Sequence, residues 1–157
     1  MKSRWVYLGV LLAVVGCGVN DDPQAADATG QLDQAVISVC GTACPSGYYP
    51  QYSSYNANCG AGYANTSTVC GVVSGVPLST CGTACPPGYY PQYSSYNANC
   101  AYGFGSISAV CGPVPANRVP LSTCGTTCPP GYYPQYSSYN ANCAYGFGST
   151  STVCGPL

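Results

Sequence analysis

Hydrophobic and polar positions divide the chain into three regimes. Trp5 to Val15 is a mostly apolar run of 11 residues. A helix needs about 20 residues to cross a bilayer core, so this run is too short to span one. Residues 18–36, GVNDDPQAADATGQLDQAV, hold little bulky apolar content and all four acids of the chain. Such a segment cannot bury enough surface to order itself and is expected to be a disordered tether. After residue 36 no stretch has both the length and the 3.6-residue period of a helix. Instead, short extended stretches (Ala35-Val-Ile-Ser-Val, Val76-Pro-Leu-Ser-Thr, Val119-Pro-Leu-Ser-Thr) recur, as do alternating ones such as Ser149-Thr-Ser-Thr-Val. The alternation predicts a strand with one face inward. Cys44-Pro-Ser-Gly and Cys85-Pro-Pro-Gly read as turns, and Asn56-Ala-Asn-Cys-Gly as a second turn.

This punctuation repeats, which governs the fold reading. Copy one contains Cys40, Cys44, Cys59 and Cys70; copy two Cys81, Cys85, Cys100 and Cys111; copy three Cys124, Cys128, Cys143 and Cys154. The spacing is C-x3-C-x14-C-x10-C every time. Val76–Pro113 aligns with Val119–Pro156 over 38 positions with three differences: Ala84/Thr127, Ile107/Thr150 and Ala109/Thr152. Copy one shares CGTACPxGYYPQYSSYNANC and diverges after Cys59. The expected units are 37–71, 76–113 and 119–156.

Each unit is too small for a conventional core. Chains below roughly 40 residues usually need disulfides, metals or partners to fold. Between Cys81 and Cys111 the only aliphatic residues beyond Ala are Ile107 and Val110. Two disulfides within each unit can supply what the core lacks, and three pairings of four cysteines are possible. A Cys₄ zinc site is the competing reading; the C-x3-C pair suits it, whereas C-x10-C is too wide for the usual knuckle. The fold expectation is a small, disulfide-rich, mostly β or irregular protein of three tandem β-hairpin modules. The block Cys-Pro-x-Gly-Tyr-Tyr resembles openings of extracellular EGF-like and receptor-repeat modules. Those usually carry six cysteines, so the resemblance implies an extracellular disulfide module and nothing finer.

Charge then removes whole classes of function. Charged residues make up 4% of the chain, and from residue 34 onward Arg118 is the only one. The repeats contain no His, Asp, Glu or Lys, so no Ser or Cys has a conventional base beside it. We therefore expect no catalytic residue, no metal site, no cofactor and no enzyme activity. One Arg is no phosphate-binding patch, so nucleic acid is not an expected partner either. Arg118 reads as a solubilising linker residue, and the Asn65-Thr-Ser match to a glycosylation acceptor as chance.

Tyrosine is the feature left to explain. Outside Tyr7 there are five per copy. Some are expected to cover the disulfides in place of aliphatic residues. Tyr49, Tyr52 and Tyr55 recur every three residues, as do Tyr90, Tyr93 and Tyr96, and Tyr133, Tyr136 and Tyr139. In a polyproline-II segment such a triplet shares one face; in a regular strand it does not. These nine are the candidate contact residues. They suit a structural or adhesive surface, with oxidative cross-linking in a coat as a further use. The alternative is a glycan- or cell-wall-binding module in which the exposed tyrosine rings are platforms for sugar faces and Gln51, Ser53, Asn56 and Asn58 supply hydrogen bonds.

The amino terminus adds an address. Lys2 and Arg4 precede the apolar run, as in export signals. The run ends in Val14-Val15-Gly16-Cys17, which resembles the lipobox of bacterial lipoproteins. The resemblance implies a signal peptide over residues 1–16, lipidation of Cys17 and a tether over 17–36. It also accounts for the one cysteine that belongs to no repeat. Gly18, where the family carries Asp for inner-membrane retention, implies the outer membrane. The expected setting is the bacterial cell envelope. Expected partners are the membrane, through the lipid, and surface polysaccharide or other envelope proteins.

Overall fold

A computed structural model of the protein describes residues 36–157. The signal segment, Cys17 and all but the last residue of the tether lie outside the described residues. The described chain forms three small antiparallel sheets, one per repeat. The first holds β1 (Ile37–Cys40), β2 (Tyr48–Tyr55) and β3 (Thr66–Val72). The second holds β4 (Leu78–Cys81), β5 (Tyr89–Tyr96) and β6 (Ile107–Pro113). The third holds β7 (Leu121–Cys124), β8 (Tyr132–Tyr139) and β9 (Thr150–Pro156). In every sheet the last strand in sequence lies in the middle, in the orders β1-β3-β2, β4-β6-β5 and β7-β9-β8.

The two stretches expected to be extended are therefore strands, and the tyrosine-rich segment joins them as a third. That segment is not polyproline II. Its aromatic residues favour a pleated, half-buried surface, and its proline is tolerated because the strand lies at the sheet edge. The ladder slips between Pro50 and Tyr52, leaving Gln51 as an extra residue. This bulge has a consequence for the side chains. Tyr49 pairs with Gly71 and Tyr52 with Val69, so the bulge returns both tyrosines to one face, while Tyr55, opposite Thr66, takes the other. The same slip occurs between Pro91 and Tyr93 and between Pro134 and Tyr136.

The turns follow their local chemistry. The Tyr48 N–H donates to the Pro45 carbonyl at 3.1 Å, with Gly47 at φ +83°. This is the positive φ that the third position of a type II turn requires. After each tyrosine strand, Asn56, Asn97 or Asn140 accepts the N–H two residues on at 3.0 Å. That bond caps the 3₁₀ turn that carries the third cysteine.

All twelve repeat cysteines pair within their own module, first with third and second with fourth. The bridges are Cys40–Cys59 and Cys44–Cys70, Cys81–Cys100 and Cys85–Cys111, and Cys124–Cys143 and Cys128–Cys154. This selects one of the three pairings left open by spacing and leaves no thiolate in the repeats for zinc. The bridges close separations of 19 and 26 residues. In a chain-entropy description each stabilises by about 3 kcal/mol, although overlapping loops are not additive. Disulfides of this number belong to an oxidising compartment, outside the cell or in its envelope.

The interior is built of half-cystines and threonines rather than aliphatics. Cys70, Cys100, Cys111, Cys143 and Cys154 are fully buried, together with Thr68, Thr80, Thr123 and Thr152. A buried hydroxyl costs free energy unless it is bonded. Thr68 and Thr152 each donate at 2.6 Å, to the Gly41 and Gly125 carbonyls. Among the described residues no buried side-chain nitrogen or oxygen lacks a partner.

Candidate functional site

The modules are not beads on a string. Each tyrosine strand is an edge, and in modules 1 and 2 the next module covers it. Thr80 donates its hydroxyl to the Pro50 carbonyl at 3.2 Å, and the Tyr102 N–H donates to the Ser53 hydroxyl at 3.2 Å. At the second junction Thr123 donates to the Pro91 carbonyl at 3.2 Å, and the Tyr145 N–H to Ser94 at 3.1 Å. The Cys81 and Cys124 sulfurs lie 3.3 Å from the Gln51 and Gln92 carbonyls. A half-cystine has no proton to donate, so these are close S···O contacts. We call the tyrosine-strand side of a module its trailing face and the side bearing the first cysteine its leading face.

Both junctions use equivalent residues, so module 2 docks on module 1 through the same contacts by which module 3 docks on module 2. Equivalent side chains therefore lie in file along the stack. The nine candidate tyrosines form three such files, and they differ in fate. In the first file Tyr49 is 6% exposed and packs in a cluster with Leu78. Tyr90 is half-buried against the cluster of Leu121, Tyr132 and Cys154. Tyr133, with no described module after it, is 44% exposed. Tyr49 is thus corrected as a contact residue, because module 2 buries it at the junction, while Tyr90 is half-buried at the next one.

The other two files remain outward. Tyr52, Tyr93 and Tyr136 are exposed, as are Tyr55, Tyr96 and Tyr139, the last at 81%. Tyr55 also meets Tyr102 of the following module, ring centroids 6.2 Å apart and planes tilted by 53°. That is a favourable aromatic geometry. Tyr63, Tyr102 and Tyr145 add exposed rings from the loops after the third cysteine. The stack thus presents rows of phenols on a surface whose only described charge is Arg118.

The hydrogen-bonding groups expected to serve a sugar are mostly engaged in the fold. The Gln51 amide donates to the Tyr49 hydroxyl at 3.0 Å, and Ser53 is buried at the junction. Asn56 caps its 3₁₀ turn. Asn58 alone of the four is exposed. A different feature offers itself for a neutral ligand: a cleft of about 550 Å³ between modules 2 and 3. Tyr89, Tyr90 and Pro91 form one wall and Thr126, Thr127 and Phe147 the other. Nothing in sequence spacing pointed to it, since its walls come from two modules.

No protein-family model, curated protein or solved structure matches the chain.

Proposed function

We propose that this is a non-catalytic, exported protein, lipidated at Cys17 and held in the bacterial cell envelope at the outer membrane, with a structural or adhesive role. The observation that carries the reading is the outward files Tyr52, Tyr93, Tyr136 and Tyr55, Tyr96, Tyr139 on a stack that is otherwise neutral. Each phenol offers an apolar ring and one hydroxyl, which makes many weak contacts without demanding a defined ligand. Repetition of the same group on one scaffold adds avidity to contacts that are individually weak. Polysaccharide and neighbouring envelope proteins are the partners that this neutral, hydroxyl-rich surface suits.

A second reading, glycan binding, is favoured by one feature: the aromatic and threonine-lined cleft between modules 2 and 3 has no charged residue in its walls. Neutral, partly apolar clefts of this size take small molecules. Adhesion of the oxidised protein to cell-wall material, measured with and without excess free sugar, separates the two. The adhesive reading expects binding that survives the sugar and falls on combined Tyr93→Ala and Tyr96→Ala. Saturable sugar binding, lost on Phe147→Ala and kept when Tyr93 and Tyr96 are replaced, would favour the cleft. The anchor has its own test: Cys17→Ser should release the protein from membranes.

A further inference from the structure

Among the described residues, one interface used at two junctions leaves two halves without a neighbouring module. On module 1, Cys40 and Pro45 are exposed where their counterparts Cys81 and Pro86 are buried. On module 3, Pro134, Gln135 and Ser137 are exposed, whereas Ser53 and Ser94 are buried under the next module. Leu157 completes this half. Its N–H donates to the Gly131 carbonyl at 3.0 Å, as Val73 does to Gly47 and Val114 to Gly88. Val73 and Val114 pack on the clusters at the first and second junctions, but Leu157 is 76% exposed.

The two halves also carry complementary parts of the cleft. A hollow of about 490 Å³ is lined mainly by module 1, through Cys40, Gly41, Thr42, Ala43 and Tyr63 among others, with Gly103 of module 2 against Thr42 at its rim. In register the module 1 residues are the counterparts of Cys124, Gly125, Thr126, Thr127 and Phe147, in the module 3 wall of the cleft described above. The opposite wall there is Tyr89, Tyr90 and Pro91 of the preceding module. Among the described residues no such wall faces module 1, and the counterparts Tyr133 and Pro134 are exposed on the trailing face of module 3, beside the buried Tyr132.

We propose that the trailing face of module 3 receives the leading face of module 1 of a second copy, so that copies join head to tail and complete the half-cleft. The residues that differ weaken this contact but do not block it. Val39 replaces the Thr80 and Thr123 of the internal junctions, with the same shape and no hydroxyl. Ala61 replaces Tyr102 and Tyr145 and is smaller. Tyr63 keeps an aromatic ring over Gly41, as Phe104 does over Gly82 and Phe147 over Gly125. Ile37 stands where Leu78 and Leu121 do, and Leu157 where Val73 and Val114 do; the contact in trans keeps these aliphatic positions and lacks the threonine hydrogen bond and the ring pair. A heterologous step of this kind passes from copy to copy, building a ring where its rotation closes and an open filament where it does not. The partner is another molecule of this chain, and the contact requires neither lipid nor sugar.

Sedimentation velocity over a wide concentration range tests this, using oxidised full chain carrying Cys17→Ser so that no lipid intervenes. The parent should shift from monomer to longer species as concentration rises. Val39→Thr restores the missing donor and should move that shift to roughly fivefold lower concentration, the effect of one net hydrogen bond. Ser137→Lys places a charge on the exposed trailing face and should hold the protein monomeric. Ser122→Lys, at an exposed position of β7, should behave as the parent. Non-reducing mass spectrometry of each variant confirms six bridges. Monomer at every concentration in both parent and Val39→Thr would overturn the proposal, as would association that Ser137→Lys leaves intact. Neither result would bear on anchoring or adhesion, which are read by membrane release and wall binding.

Discussion

Tyr49 and Tyr133 occupy the same place in identical eight-residue strands, yet one is buried and the other is 44% exposed. Nothing within their own modules accounts for the difference. The leading face of module 2 covers Tyr49, and no described residue does this for Tyr133. Burial in this protein is thus a property of neighbours, as in repeat arrays whose stability sums intrinsic and nearest-neighbour terms. A residue's importance follows from which junction it faces rather than from its position in the repeat.

The sharpest way to break that comparison is to remove a bridge from the middle and from the end. Cys85→Ser with Cys111→Ser should cost about 3–5 kcal/mol and loosen both junctions, since module 2 belongs to each. Cys128→Ser with Cys154→Ser should unfold module 3 and leave modules 1 and 2 protease-resistant. Limited proteolysis with mass mapping reads the difference, and equal damage from the two pairs would contradict nearest-neighbour coupling. Next in size, Tyr49→Ala should destabilise by about 2–4 kcal/mol in denaturant titration, in the range of buried aromatic truncations. Tyr133→Ala should stay within about 1 kcal/mol.

A smaller effect is expected at the threonine of the leading face. Thr123→Val keeps the shape but leaves the Pro91 carbonyl without its donor at a covered junction, at a cost of about 1–2 kcal/mol. The reverse change at the open end, Val39→Thr, should leave the monomer's unfolding midpoint within about 0.5 kcal/mol of the parent. The smallest effect is none at all. Residues 36–157 contain no Asp, Glu or His side chain. Stability changes with pH only where folded and unfolded states bind different numbers of protons. The thermal midpoint of the oxidised repeats should therefore be level from about pH 4 to pH 8. A slope there would point to a titrating group that the repeats do not hold.

Much of a single module was legible in its residues. The scarcity of aliphatics between Cys81 and Cys111, together with four identically spaced cysteines in every copy, required covalent support, and six bridges are present. The alternation before each last cysteine marked β3, β6 and β9, because Thr, Ser and Val at period two fit a half-buried strand. The tyrosine strands were harder to read. Their three-residue recurrence fits no regular strand, and only the bulge at Gln51, Gln92 and Gln135 reconciles the two. Bridge connectivity could not be read from spacing, since it depends on β3 passing between β1 and β2. The junctions were illegible for a different reason. They use backbone groups such as the Pro50 carbonyl and the Tyr102 N–H, which leave no mark on side-chain pattern. Val39 and Ala61, departures from the repeat at the open end, were the one trace available in the letters themselves.

The middle strand of each sheet is the last to be made. Until residues 66–72 exist, β1 and β2 have nothing to lie against, and Cys44 has no lawful partner, only the near and wrong one four residues away. The first module therefore stays slack thread for nearly its whole length. Shape arrives at once, when the keystone segment drops in and the second bridge can shut. A polypeptide built this way stays threadable for as long as threading is required.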